Sequence, residues 1–255
     1  VSYLPDQTRL PETKLARTHT PKVGDYTAYR DCCRWEFGFC CALCFLHEAD
    51  LLENGAEGSG LVWIEHSELK SIEEQKRDVY SNCFLSCRFC NNGRGERPSA
   101  DPKTGATLLE PTSSVWSKMF VVDADYVMRA RDPSDADATY TLVSYGLDQK
   151  RKAEGRKSRA RRFGWLRAAA NNIETNVPKL LDMAKTADDE KKKALLECAE
   201  EFMRAYDMAF AEVKRYLATP GDAPVRCRCG DKVKLELPPW LANQLQEVRA
   251  PRGER

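Results

Sequence analysis

The chain has 255 residues, 42% of them hydrophobic, with 40 Lys and Arg set against 39 Asp and Glu for a net charge of +1. That length and apolar content predict one main domain with an appendage, and no run approaches the roughly eighteen apolar residues that a membrane crossing requires. Eleven cysteines, an odd number with two Cys-x-x-Cys pairs among them, fit a reducing compartment better than a disulfide framework. The opening Val1-Ser-Tyr-Leu-Pro-Asp6 has neither the basic start nor the apolar stretch of a secretion signal, so the expectation is a cytoplasmic protein.

Residues 1–23 hold three prolines and few large apolar side chains, and are expected to form an extended arm. Tyr26 to Phe39 reads as a helix ending at Gly38 that packs Tyr29, Cys33 and Phe37 against the cysteine-containing module downstream. That module starts with Cys41-Ala-Leu-Cys44 and, 42 residues later, has Cys87-Arg-Phe-Cys90. Each two-residue spacer bends the backbone so that both sulfurs face one centre, and four thiolates close a tetrahedron round a structural zinc with no open position for substrate. Cys32, Cys33, Cys40 and Cys83 read as small core residues. Spacing alone selects Cys41 over its neighbour Cys40, and His47 is an alternative ligand. After a turn at Gly55–Gly60, Leu61-Val-Trp-Ile64 suits a buried strand with Glu65-His66 at its end. A charged, helical excursion over Lys70–Asp78 leads to Asn82, a second short strand at Cys83-Phe-Leu85, and a short helix from about Arg88 to Asn92.

Strand, loop, strand, helix, with two cysteine pairs around it, resembles the HNH endonuclease family. Glu65-His66 and Tyr80-Ser-Asn82-Cys-Phe-Leu-Ser-Cys87-Arg-Phe-Cys90-Asn91-Asn-Gly-Arg94-Gly95 carry the likeness. Tyr26-Thr-Ala-Tyr-Arg30, Trp35-Glu-Phe-Gly-Phe-Cys-Cys41, Leu109-Glu-Pro-Thr112 and Trp116-Ser-Lys-Met-Phe120 are similar to the flanks of bacterial members, so the likeness covers about residues 24 to 162. It implies an α+β domain with a ββα-metal core that hydrolyses DNA phosphodiester bonds. His66 is then the general base, since an ordinary imidazole titrates near 6.5. Glu65 and Asn91 are oxygen ligands of the type that selects Mg²⁺ or Mn²⁺, which would polarise the phosphate and steady the departing 3′ oxygen. Asn82 bridges the loop so that the His66 ring is aimed. Three departures stand out: Ser67-Glu-Leu-Lys70 replaces a basic, Pro-containing stretch, Arg94 stands where Lys is frequent, and Glu65 stands where Asp is common. Family members also occur beside ATPase partners in phage defence, which implies a regulatory protein partner. The alternative is a zinc-stabilised nucleic-acid-binding or partner-docking subunit without cleavage.

Charge is unevenly spread. Residues 36–80 carry ten acidic against three basic side chains, whereas 150–162 carry eight basic residues against Glu154. Lys150, Arg151, Lys152, Arg156, Lys157, Arg159, Arg161 and Arg162, with Arg88 and Arg94, are therefore the candidate phosphate contacts, a solvated face being the plain alternative. Arg97–Thr107 reads as a loop near the active face. Met119–Asp123 and Tyr126–Arg129 alternate as a hairpin whose Asp123 and Asp125 suit a turn more than a metal pair.

Phe163, Leu166, Ala170, Ile173, Val177, Leu180 and Ala184 recur at three- and four-residue steps, as do Leu195, Ala199, Phe202, Tyr206, Ala209, Val213 and Tyr216, and the two stripes predict an antiparallel helical hairpin. Pro178 is expected to kink or restart the first helix with Asn176 as its cap. Asp188-Asp-Glu190 and Lys214-Arg215 suit the dipole of the second. Beyond it, Arg226–Leu237 reads as a β-hairpin turning at Gly230-Asp231, with Cys227 and Cys229 lacking a partner pair, and the last ten residues as disordered. The expected divisions are an arm (1–23), a nuclease-like domain (24–162), the hairpin (163–218) and an extension (219–255).

Overall fold

The computed structural model describes residues 10–21, 24–53, 62–68 and 74–214, so the expected turn at Gly55–Gly60, the start of the 70–78 excursion and the 219–255 extension with Cys227 and Cys229 lie outside the described residues. Strands β1 (Val62–His66) and β2 (Cys83–Cys87) pair antiparallel, Val62 opposite Cys87 and His66 opposite Cys83. β2 passes directly into helix α3 (Arg88–Arg94). All five residues of β2 are buried, which is why the segment reads as a continuous apolar run rather than an alternation. The architecture is mixed helix and sheet.

The helix expected over 26–39 is two pieces. Asp25 accepts from the Thr27 amide and opens a 3₁₀ turn at Tyr26–Tyr29, and α1 follows over Arg30–Glu36. Gly38 and Phe39 both have φ near 58°, a left-handed pair that ends the helix and swings the chain into the first cysteine pair. Tyr29, Cys33 and Phe37 join the main core with Leu43, Leu46, Phe84, Trp116, Phe120, Tyr145 and the four paired cysteines. α2 spans Glu48–Glu53 and α4 Trp116–Met119. β3 (Phe120–Val122) and β4 (Met128–Ala130) form the expected hairpin. Its turn is closed by Asp123, whose Oδ1 accepts from the Asp125 and Val127 amides, so the turn reading of these aspartates holds. α5 (Ala136–Tyr145) crosses α3 closely. A Cβ on Gly93 would lie 3.1 Å from the Tyr145 carbonyl oxygen, so only glycine permits that approach without displacement.

Residues 10–21 form neither helix nor strand, yet they are packed. Leu10 and His19 are buried. Arg17 pairs with Glu36 at 2.9 Å, donates to the Ser81 and Cys83 carbonyls, and lies between the rings of Phe37 and Tyr80. Glu36 also accepts from the Thr18 and His19 amides and the Tyr80 hydroxyl. This part of the expected arm is a strap.

Helix α6 runs unbroken from Lys150 to Thr186 and contains Pro178; at about 1.5 Å per residue it is roughly 55 Å long. It returns through α7 (Asp189–Lys214), whose start is capped by the Asp188 carboxylate accepting from the Lys191 amide. The boundary placed between 162 and 163 falls inside one helix. Of the two readings of Pro178, the restart is corrected, since the helix runs through it, and the Asn176 amide meets Asn172 one turn back instead of capping a new helix. A proline costs one hydrogen bond and some steric strain, which the long apolar seam against α7 outweighs. The described stripe residues, from Phe163 to Ala184 and from Leu195 to Ala209, are buried or half-buried on that seam, with Ala184 and Ala199 among the most buried. Near the domain, Phe163 and Leu166 meet Ala49, with Tyr206, Ala209 and Phe210 alongside.

Candidate metal centre and adjoining carboxylate site

The two cysteine pairs converge. Cys41, Cys44, Cys87 and Cys90 are all buried, with their sulfurs within 4.8 Å of one another. Cys44 and Cys87 Sγ are 3.7 Å apart, close to the edge of about 3.8 Å of a tetrahedron with metal–sulfur bonds near 2.3 Å. The framework explains the convergence. Cys41 and Cys44 sit in a tight knuckle, closed by the Phe45 amide on the Cys41 carbonyl and the Cys41 amide on Leu46, and hung on the sheet by the Ala42 amide on Leu85. Trp116 Nε1 donates to Leu43 from beneath. Cys87 ends β2 and Cys90 lies in the first turn of α3.

Burial by itself would raise the Cys41 thiol, but hydrogen bonds from Cys44, Cys87 and Cys90 bring it well below the usual range. The same bonds, with burial, drive Cys87 and Cys90 up. A divalent ion binds cysteines as thiolates, so holding one here means displacing the protons of the raised thiols. The group can hold a structural metal such as zinc. Cys40 stands outside it, and burial pushes its thiol up to about 12, as it does for Cys83. His47 is also outside, its Nδ1 accepting from the Ala49 amide. The choice between Cys40 and Cys41 is thereby decided.

Next to this centre the end of β1 meets α3. Glu65 is buried, and its Oε2 accepts from Asn91 Nδ2 at 2.7 Å while its Oε1 accepts from Arg94 at 2.9 Å. Burial raises the Glu65 carboxyl above its ordinary value against the lowering by Arg94. His66 is 4% exposed, its ring edge-on to Tyr26, and its Nε2 is 3.0 Å from the Arg77 carbonyl. A carbonyl can only accept, so the proton of the neutral ring sits on Nε2 and Nδ1 is the basic nitrogen. Asn82 clamps the intervening loop from both sides, accepting from the Glu68 amide and donating to the Glu68 and Lys76 carbonyls. Asn82 is thus linked to His66 through the 76–77 backbone. Arg77 had no sequence signal, because it contributes only a carbonyl.

Several candidate phosphate contacts are corrected. Arg94 is buried, and beyond Glu65 its guanidinium donates to the carbonyls of His66 and Ser67, to Ser99 Oγ and to Tyr145 Oη. Lys152 is buried with Nζ on the Tyr145 and Gly146 carbonyls, capping α5. Arg156 is buried on the carbonyls of Cys44 and Tyr126, and Arg159 reaches the Phe45 carbonyl and Asp50. Donors turned inward in this way are not presented to a polyanion. Lys150, Arg151, Lys157 and Arg161 are exposed and Arg162 half-buried. Arg151 lies 4.6 Å over the Phe89 ring, and Arg88, half-buried, flanks the same ring. The loop over 97–107 does adjoin the carboxylate site, since Ser99 Oγ bonds the Ser67 carbonyl and Glu68.

No protein-family model matches this chain, and neither curated proteins nor solved structures give a match. Among the described residues no helix is long and apolar enough to cross a membrane.

Proposed function

We propose that this chain is a metal-dependent endonuclease of the HNH type that hydrolyses DNA phosphodiester bonds, with zinc as the scaffold ion of the four cysteines. The observation that carries the reading is the pairing of Glu65 and Asn91 at 2.7 Å across a β-hairpin and helix seated on the cysteine group. With the Asn91 amide turned over, its oxygen and the Glu65 carboxylate are hard donors that would hold Mg²⁺ or Mn²⁺. Such an ion would supply charge stabilisation at phosphorus and at the leaving oxygen. His66 supplies the base, its tautomer fixed by Arg77 and its loop held by Asn82. The exposed cations Lys150, Arg151, Lys157 and Arg161, with Arg162 and Arg88, supply the sequence-independent attraction to DNA.

The test is supercoiled plasmid with Mg²⁺ or Mn²⁺. Cleavage by the wild type that is lost in His66→Ala, with folding and zinc content retained, supports the enzyme; DNA binding without cleavage under any divalent ion refutes it. The second reading, a binding or docking subunit, draws on Arg94 and Asn91 engaging both oxygens of Glu65, and on the helical hairpin as the surface for a regulatory partner such as an ATPase.

A further inference from the structure

One face of α6 is assembled around the cysteine group. Lys152, Arg156 and Arg159 follow at steps of four and three, and so share a side of the helix. Each ends on backbone next to the centre or its supports. Arg156 donates through Nε and an Nη to the carbonyl of Cys44 at 3.3 and 3.1 Å. Arg159 meets the adjoining Phe45 carbonyl at 2.8 Å, and Lys152 holds the end of α5 at Gly146 at 2.7 Å. Four thiolates on one divalent ion leave a doubly negative group, and burying it carries a desolvation cost that nearby buried cations offset. Among the described residues, the apolar cluster between the hairpin and the domain sets Ala49 against Phe163 and Leu166.

We propose that Lys152 and Arg156 are the charge-compensating partners of the cysteine-bound metal, and that the metal in turn anchors the α6–α7 hairpin to the domain. The basic run is then divided by helical face: one side neutralises the metal centre and the other faces solvent. Reciprocity is required by linkage, since whatever the docked helix adds to metal affinity the metal adds to docking. The inference rests on the cysteines binding a divalent ion and is independent of any nuclease activity.

The test is zinc affinity of the full chain by competition with a chromophoric chelator, for the wild type, Lys152→Met, Arg156→Met and, as a control on the exposed side of the same helix, Lys157→Met. Loss of outer-shell partners weakens metal binding by about 10- to 100-fold, and that is expected for Lys152→Met and Arg156→Met but not Lys157→Met. Arg156→Lys and Lys152→Arg keep the charge and restore most of the affinity, which separates compensation from misfolding. Zinc is also expected to slow amide exchange across 152–163 in the wild type. Unchanged affinity in both Met variants, equal weakening in Lys157→Met, or exchange across 152–163 indifferent to zinc each overturns the inference. A wild type that binds no zinc removes instead the metal reading beneath it.

Discussion

Arg94→Met separates a structural from a nucleic-acid role for that residue. The Arg94 side chain is 0% exposed and its Glu65 partner 6%, so the substitution strands a carboxylate in the interior and also strips donors from the His66 and Ser67 carbonyls. Breaking a buried pair from one side costs about 3–5 kcal/mol, a large part of the roughly 5–15 kcal/mol that holds a typical domain together. Arg94→Lys keeps the charge but has no planar fork for acceptors on three sides, and falls between wild type and Met. In the double variant Glu65→Gln/Arg94→Met no charge is left alone, and a coupling of about 1–3 kcal/mol is recovered. The assay is urea unfolding at saturating zinc, followed by circular dichroism. A loss under about 1 kcal/mol in Arg94→Met, or unchanged stability with DNA binding selectively weakened, would refute the buried-clamp account.

Four further outcomes are expected. Cys41→Ser or Cys90→Ser abolishes stoichiometric zinc by elemental analysis, whereas Cys40→Ala retains it, because Cys40 lies outside the sulfur group. Zinc affinity measured by chelator competition falls as pH is lowered, since protons compete for thiolates, and the two raised thiols, Cys87 and Cys90, must give theirs up on binding. Asn82→Ala removes three loop hydrogen bonds and costs about 1–3 kcal/mol, read as faster amide exchange across 74–82 and, if the chain cuts DNA, as lost cleavage with zinc retained. Reversing Lys157 and Arg161 to Glu, both exposed, weakens DNA binding and flattens its salt dependence by about two phosphate contacts without moving the unfolding midpoint; an unchanged salt slope would place the DNA elsewhere.

Much of the candidate site was legible because it depends on short-range geometry. Two Cys-x-x-Cys spacings and a short strand feeding a helix are local devices, and the structure joins them as their spacing implied, including Cys41 in preference to Cys40. The helical hairpin was equally readable, since its three- and four-residue apolar steps define one face wherever the helix lies. Charged residues were not readable in this way. A run of eight cations looks uniform along the chain, yet successive residues turn through about 100° around a helix, and only the contact between α6 and the cysteine knuckle decides that Lys152 and Arg156 face inward. Arg94 and Arg17 make the same point, each finding its carboxylate 29 and 19 residues away. What the sequence by itself determined was the four-cysteine pattern and the helix faces, which short stretches encode; what only the tertiary structure decided was which charges are spent on holding the fold, because that depends on partners brought together from distant parts of the chain.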